Sequence, residues 1–431
     1  MLRKIINTTL FLPLSFFVTF QQSILSENKN FIDEIIRINE DKIFIDHQEI
    51  KNIILNNDEL KSLRELIEAS SFNLSSKIAK RYPSIDLQAN GLPKYVAGRN
   101  YNSNSNTTKT SQFSVNPSLN IRWDLIDPLR GPEIKIAREN LKIAKNNYEI
   151  KRKDLIQEAS TRYHKYQKSS QDIVNKKLAL DLSMTSLENA QAKLDAGIGT
   201  KFEVLEANAQ LSRDKQALYE KKIEHQINKI SLKEILNLKE DFEIKKEQKL
   251  LGYWNHKLNK NIKNGLESNL SLKNISLQKS IKDNEANSFL NSNKPSIYIS
   301  NSLSSAFTKG DSLAIDIDPN EYGSSYSNTI SLNLSWNIFN GGQNKKSYKS
   351  RKSQAKGEEY SYNNLKSVLK TNITKAYLNL KLNEEKILST SKEILSTKES
   401  LRLARLRYDV GISTLKDVLV RQKELSDAKS K

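Results

Sequence analysis

The chain has 431 residues, of which 37% are hydrophobic, and it carries a formal charge of +19. Its mean hydropathy of −0.63 is low for a compact core and predicts long elements with water on more than one side, or disorder. Because cysteine is absent, disulfides, thiolate metal sites and cysteine nucleophiles are excluded. The four histidines have no metal-ligand spacing and no nucleophile motif occurs, so we expect neither a cofactor nor an enzyme.

The first 26 residues have the layout of a secretory signal peptide. Arg3 and Lys4 precede a mostly apolar run that turns polar at Gln21, and we expect cleavage after Ser26. A retained N-terminal anchor is the alternative interpretation. Later in the sequence no run of 18 apolar residues occurs, so no transmembrane helix is expected. Export argues against a nucleic-acid partner, and scattered lysines on solvated faces account for the positive charge.

A repeat of nearly half the chain length organises the sequence. Short motifs recur at a slowly rising offset, from 295 − 83 = 212 to 411 − 197 = 214 residues. The matched positions are Pro83 with Pro295, Trp123 with Trp336, and Gly197 with Gly411. We therefore predict a first structural repeat over 27–240, a linker over 241–268 and a second repeat over 269–431.

Each copy begins with a helical stretch, followed by two strands that form a hairpin over 84–126 or 296–340. Apolar residues alternate along these strands, and Trp336 and Ile338 continue the last alternation. The polar runs GRNYNSNSNTTKTS and TKGDSLAIDIDPNEYGSSYSN are predicted to be exposed loops between the strands.

A long helical hairpin follows each strand hairpin, over 132–238 and 343–431, and the second one is shorter at its C-terminal end. Apolar residues recur every seven positions with one four-residue step, which predicts coiled-coil packing with a stutter. In the first copy these positions are Leu141, Tyr148, Leu155, Ala159, Tyr166, Ile173, Leu180, Leu187 and Leu194. In the second copy they are Ala355, Tyr362, Leu369, Ile373, Leu380, Ile387, Ile394, Leu401 and Tyr408. His225 continues a heptad series on the return helix, so we expect it to pack.

The turns within the helical hairpins are KLDAGIGTKFEV (193–204) and RYDVGISTLKDV (407–418). Gly197 and Gly411 are suited to end a helix in the left-handed conformation. Thr200 and Thr414 are suited to cap the next helix, with an acid three residues later at Glu203 or Asp417. Capping alone explains these residues. Each motif therefore forms the turn of a helical hairpin, and the two copies place both turns, which we call the tips, at the same end.

Four amphipathic strands would leave bare sheet edges, and a barrel closed by several copies removes them. The sequence is mainly α with β. LNNDELKSLRELI, SWNIFNGGQ and RYDVGISTLKDVL resemble the outer-membrane efflux proteins, the TolC-like duct family, in its repeat start, its strand–helix junction and its tip. The resemblance implies a homotrimer with four strands per chain in one β-barrel and a coiled-coil α-barrel in the periplasm of a Gram-negative-type bacterium. Implied partners are outer-membrane lipid, a periplasmic adaptor and an inner-membrane pump.

The resemblance also implies site residues. Asp417 corresponds to a gate acid, Glu203 to a latch acid and Tyr408 to a latch tyrosine, while Ser413 stands where the family has a latch arginine. We therefore expect weaker closure or a different latch, with a capping role alone as the alternative for Asp417. The other implied positions are the tip acids Asp195 and Asp409, the adaptor-docking residues Gly197, Thr200, Gly411, Ser413 and Thr414, and the junction residues Trp123, Trp336, Phe339, Gly341 and Gly342.

The implied function is an outer-membrane exit duct of an efflux pump or type I secretion system. It would conduct small molecules or polypeptides passively. An exported or membrane-anchored coiled-coil scaffold without a pore is the alternative, but it leaves the paired strand hairpins and the repeat unexplained.

Overall fold

A computed structural model of the chain describes residues 43–101, 107–244, 254–311 and 322–431. The predicted signal peptide and residues 245–253 of the predicted linker lie outside these ranges. The helices are α1 (Ile50–Ile53), α2 (Asp58–Ala79), α3 (Arg130–Asp195), α4 (Lys201–Ile235), α5 (Leu258–Ser268), α6 (Leu270–Asn291), α7 (Gln343–Asp409) and α8 (Leu415–Ser430). The strands are β1 (Ile43–Ile45), β2 (Ser84–Tyr101), β3 (Thr107–Ile126), β4 (Phe242–Ile244), β5 (Ser296–Asp311) and β6 (Tyr322–Ser335).

The chain divides into two compact units, and each contains elements from both copies of the repeat. The tip unit comprises the described residues of 1–57, 155–253 and 394–431, and holds both tips. The sheet unit comprises the described residues of 58–154 and 254–393, and holds the four long strands. No described helix is long and apolar enough to cross a membrane.

The sheet unit contains an antiparallel sheet with strand order β2-β3-β5-β6. Because side chains alternate across a strand, one face carries the apolar residues and the other carries serine, asparagine and threonine. On the apolar face Ile85 is paired with Ile121, and Leu332 is paired with Ile299. On the polar face the hydroxyls of Ser300 and Ser331 are 2.8 Å apart. The sheet therefore presents one apolar and one hydrogen-bonding surface.

Two details of the predicted hairpins were wrong. The strands continue far into the predicted loops, since β2 reaches Tyr101 and β5 reaches Asp311. These predicted loops are rich in serine, threonine and asparagine, which is why their composition was mistaken for loop. In addition, β6 ends at Ser335, so Trp336 and Ile338 lie beyond the strand, whereas Trp123 lies within β3.

The tip unit is held together by a small apolar cluster drawn from both copies. Its buried members are Ala190, Ala207, Leu401, Tyr408, Leu415, Val418, Leu419 and Leu425. Each of the four helices that enter or leave the tips contributes at least one of them, so the prediction that both tips lie at the same end is confirmed.

The predicted heptad positions differ in burial. Most are partly buried and Ile387 is exposed, while six are buried: Leu155, Ala159, Tyr166, Ala355, Leu401 and Tyr408. Between Ser169 and Ala190, however, the buried residues of α3 are small or polar. This inner stripe consists of Ser169, Asp172, Ala179, Ser183, Ser186 and Ala190. Small residues allow helices to approach closely, and they were missed because the heptad pattern marks large apolar side chains.

A short parallel pair, β1 with β4, lies beside the end of α4 in the tip unit. Ile45, Ile50 and Ile54 are fully buried there, and the Asn57 side chain donates to the Ile235 carbonyl at 3.0 Å. After α4 ends, Asn237 adopts a positive φ of 52°, which closes the helix as a glycine would.

Candidate functional site

The first tip ends α3 with a left-handed glycine. Gly197 has φ of 75°, and the N–H of Ile198 reaches back to the Lys193 carbonyl at 3.0 Å. The N–H of Gly197 donates to the Leu194 carbonyl at 2.9 Å. These two bonds form a Schellman motif, which satisfies carbonyls that the helix end would leave open.

The second tip repeats this geometry at the end of α7. Gly411 has φ of 79°, Ile412 N–H donates to the Arg407 carbonyl at 2.8 Å, and Gly411 N–H donates to the Tyr408 carbonyl at 3.1 Å. Both glycines therefore have the conformation that the sequence predicts, and for the same physical reason.

The caps of the two return helices differ. In the first tip the Thr200 hydroxyl accepts from Glu203 N–H at 3.3 Å, and the Glu203 carboxylate accepts from Thr200 N–H at 3.1 Å, which makes a complete capping box. In the second tip Thr414 likewise accepts from Asp417 N–H at 3.4 Å. The Asp417 carboxylate accepts from the Ser413 hydroxyl at 2.6 Å. This hydroxyl, followed by the contribution of Thr414, holds the pKa of Asp417 below its ordinary value.

One contact in the tip unit joins the two copies directly. The Lys193 ammonium lies 3.5 Å from the ring centroid of Tyr408 and donates to the Tyr408 carbonyl at 3.0 Å. The Tyr408 side chain is buried, and its hydroxyl has no hydrogen-bond partner among the described residues. Burial, together with the negative charges of Glu203 and Asp409, raises the pKa of Tyr408. The charge of Glu203 thus acts on Tyr408, and Lys193 contacts Tyr408 directly.

Sequence reasoning missed Lys193 as a site residue, although the signal was present. The repeated motif opens with a basic residue in both copies, Lys193 and Arg407. Among the other predicted residues, Asp195 accepts from Gln191 at 2.8 Å on the surface of α3. Asp409 is exposed at the end of α7.

The tips expose large apolar side chains. They are Ile198, Phe202, Leu205, Val410 and Ile412, each more than half exposed. Between α3 and α4, next to the first tip, lies a groove of about 600 Å³. It is lined by Leu187, Glu188, Gln191, Ala192, Asp195, Val204, Leu205 and Asn208. A groove lined by apolar, acidic and amide side chains is suited to bind an amphipathic helical segment.

The tip unit also contains a buried hydrogen-bond network that the sequence did not reveal. The Ser183 hydroxyl donates to the Asp214 carboxylate, which also accepts from the Gln210 amide at 3.0 Å. The Gln422 amide donates to Ser183 Oγ at 2.9 Å and to the Ala179 carbonyl at 3.2 Å. The network therefore links α3, α4 and α8 through polar groups of the inner stripe.

The strand–helix junctions lie in the sheet unit, and both copies anchor a tryptophan in the same way. The indole N–H of Trp123 donates to the Arg81 carbonyl at 2.9 Å, and that of Trp336 donates to the Asn293 carbonyl at 2.8 Å. Both indoles remain about half exposed. A tryptophan with a satisfied N–H and an exposed ring is typical of a membrane–water interface.

The second junction also contains the predicted residues Phe339, Gly341 and Gly342. Phe339 is 81% exposed. Gly341 and Gly342 have φ of 66° and 78°, so two successive left-handed residues turn the chain into α7. The junction residues and the tip residues are therefore two separate sets, one in each unit.

Comparison with known proteins gave one family and a group of solved structures. A family model described as "Outer membrane efflux protein" matches residues 50–238 and 267–431. A search of curated protein sequences found no match.

Three solved structures illustrate the similarity of fold. CusC is 15% identical and has a TM-score of 0.72, with 91% of this chain and 90% of that chain covered. The Campylobacter jejuni CmeC outer membrane channel is 16% identical, with a TM-score of 0.71 and coverage of 89% and 81%. The Vibrio cholerae outer membrane protein VceC is 14% identical, with a TM-score of 0.70 and coverage of 89% and 90%.

Proposed function

The chain belongs to the outer membrane efflux protein family, and we propose that three copies of it form the passive exit duct of a tripartite export system. Family membership favours an efflux channel over a coiled-coil scaffold without a pore. In the proposed assembly each copy supplies its four strands to one closed barrel in the outer membrane. Its helices form a water-filled cylinder in the periplasm.

The observation that carries this proposal is that the sheet combines two open edges with an exposed apolar face. The edge strands β2 and β6 each have one neighbour within the described part of the chain, so each offers a row of free backbone groups. The same sheet has an apolar face, on which Ile85, Ile330 and Leu332 are at least 65% exposed. Lipid can cover that face only if the edges are closed, because unpaired backbone groups are too costly in hydrocarbon. Pairing β6 of one copy with β2 of the next closes them.

We further propose that the tips bind the periplasmic adaptor and form the gate. Support for docking comes from the exposed tip residues Ile198, Phe202 and Ile412 and from the groove beside them. Support for a gate comes from Tyr408 and Asp417, which are held by Lys193 and Ser413. These contacts replace the arginine latch that the family resemblance implies at Ser413. The pump of the inner membrane supplies the energy, since the duct itself performs no chemistry.

Disulfide cross-linking tests closure directly, because the chain has no native cysteine. Ser331→Cys on β6 is combined with Asp86→Cys or Gln88→Cys on β2, all on the polar face. Oxidation in isolated outer membranes is expected to give covalently linked trimers. The control combines Ser331→Cys with Ser118→Cys on β3, which already has two neighbours and is expected to stay monomeric. Monomers from every β6–β2 pair would contradict the proposed ring.

A further inference from the structure

The two strand–helix junctions share one architecture but carry different charge. In the first junction Lys77 and Lys80 reach the same carboxylate, Glu133, at 3.2 and 2.9 Å. Glu133 lies in the first turn of α3. Two lysines next to this junction therefore share one carboxylate of the chain.

The second junction has no acid at the position that corresponds to Glu133, since residue 346 is a lysine. The first turn of α7 contains no acidic residue, and Lys294, Lys345 and Lys346 are exposed. Within the described residues, none of these three lysines forms an ion pair. The side chain of Asn344 donates to that of Asn293 at 2.7 Å, which brings the segment of Lys294 beside the segment of Lys345 and Lys346. Three exposed lysines without an ion pair in the described part of the chain thus lie on two segments that are in contact.

Apolar and aromatic groups precede these lysines in a definite order. Along β6, Ile330, Leu332 and Leu334 are 65–70% exposed on the apolar face. Trp336, Ile338 and Phe339 follow and are 54–81% exposed, and the Trp336 indole is fixed on the Asn293 carbonyl. The lysines come next. This sequence of hydrocarbon, aromatic and cationic groups matches the layers of a lipid leaflet from acyl chain to headgroup.

We propose that Lys294, Lys345 and Lys346, with Trp336 and Phe339, form a binding site for the headgroup of an anionic phospholipid in the periplasmic leaflet of the outer membrane. The proposal rests on the proposed function, since it requires the apolar sheet face to lie in lipid. The phosphate would be held by the lysines while Trp336 and Phe339 contact the first part of the acyl chains. The first junction is not such a site, because Glu133 already occupies Lys77 and Lys80.

The test compares lipid binding by the trimer purified in neutral detergent. Phosphatidylglycerol and phosphatidylcholine with identical acyl chains are titrated in mixed micelles, and retained lipid is counted by native mass spectrometry. The wild type is expected to prefer phosphatidylglycerol, and added salt is expected to reduce that preference. The variant Lys294→Gln/Lys345→Gln/Lys346→Gln is expected to lose affinity for phosphatidylglycerol, by roughly fivefold for each lysine removed.

A matched control removes the same formal charge elsewhere on α7, by Lys375→Gln/Lys392→Gln/Lys398→Gln, and is expected to retain the preference. Equal binding of both lipids by the wild type overturns the proposal, as does equal loss in both triple variants. If trimers form and fractionate with the outer membrane but show no preference for phosphatidylglycerol, the proposed headgroup site is wrong and the proposed duct function is unaffected. A wild-type chain that neither trimerises nor enters the outer-membrane fraction overturns both.

Discussion

The ammonium of Lys193, at the end of α3, lies 3.5 Å from the ring centroid of Tyr408, at the end of α7, and is bonded to its carbonyl at 3.0 Å. The last turn of each copy's long helix is thereby tied to that of the other. The contact combines a cation–π interaction with a charge-assisted hydrogen bond, so it fixes both the position and the ring orientation of Tyr408.

We expect Lys193→Met, which keeps the aliphatic stem, to loosen the second tip by about 1 kcal/mol. Hydrogen exchange followed by mass spectrometry should show faster exchange over 405–417. Lys201→Met, at an exposed first-tip position, is the control and should leave that segment unchanged. If the Tyr408 contact also latches the duct, open probability in planar bilayers rises in Lys193→Met alone. Unchanged exchange in Lys193→Met would show that the contact stabilises nothing.

The Ser413–Asp417 hydrogen bond predicts a specific pH dependence. The pKa of Asp417 is lowered in the folded chain, so this contact stabilises the second tip above the ordinary aspartate pKa. That stabilisation is lost as pH falls through the lowered value. Ser413→Ala should raise the pKa of Asp417 towards normal, while Ser413→Thr, which keeps the hydroxyl, should not. The pKa of Asp417 is measured by carbon-detected NMR titration of aspartate-labelled protein, with the signal assigned by means of Asp417→Asn. A pKa that is the same in both variants rules out the Ser413 hydroxyl as its cause.

Gly411 and Gly357 should respond to alanine with opposite signs. Gly411 has φ of 79°, where alanine is strained, so Gly411→Ala should cost on the order of 1–2 kcal/mol. Gly357 lies inside α7 with open space where a Cβ would be, so Gly357→Ala should stabilise by about 0.5–1 kcal/mol. Thermal unfolding in one detergent compares them. Equal shifts in Tm would mean that the tip conformation does not limit stability.

We expect His225 to make the tip unit sensitive to mild acid. Its ring stacks on Tyr166 at 4.5 Å and lies 2.9 Å from the Ser169 hydroxyl. Burial, followed by the charge of Lys229, lowers the pKa of His225. The unfolded chain therefore binds the proton more readily, and stability falls as pH drops through the ordinary histidine range near 6.5.

His225→Phe keeps the stack and should flatten this dependence. We expect the Tm of the wild type to fall more between pH 7.5 and 5.5, about one unit on either side of the ordinary histidine value, than that of His225→Phe. His256→Phe, on a residue outside the tip unit, is the matched control. Parallel pH curves for the wild type and His225→Phe would exclude this histidine as the titrating group.

The tips could be predicted from sequence because their structure is local. Gly197, Thr200 and Glu203 lie within seven residues, and the bonds that satisfy the helix ends join residues at most six apart. The internal repeat could be predicted equally well, since identical residues recur at a nearly constant offset. Composition misled where polar residues continue a strand, as at the ends of β2 and β5.

Features that depend on distant segments could not be predicted. The inner stripe at Ser183 and Asp172 is buried because α4 and α8 approach α3 closely, and a heptad count favours leucine over serine. The lysine cluster depends on the Asn293–Asn344 bond, which joins residues 51 positions apart. Neither the inner stripe nor the Asn293–Asn344 bond produces a periodic pattern in the sequence.

The inner stripe has a mechanical consequence. Interdigitated leucines resist the sliding of one helix along another, because each side chain would have to leave the gap between its neighbours. Between Ser169 and Ala190 the buried groups of α3 are hydroxyls, a carboxylate and methyl groups, and Ser183 is hydrogen-bonded to both α4 and α8. We therefore expect this segment to be the most easily deformed part of the helical hairpins. Here the helices can shift along their axes by exchanging hydrogen-bond partners, while the apolar contacts at either end of the segment remain.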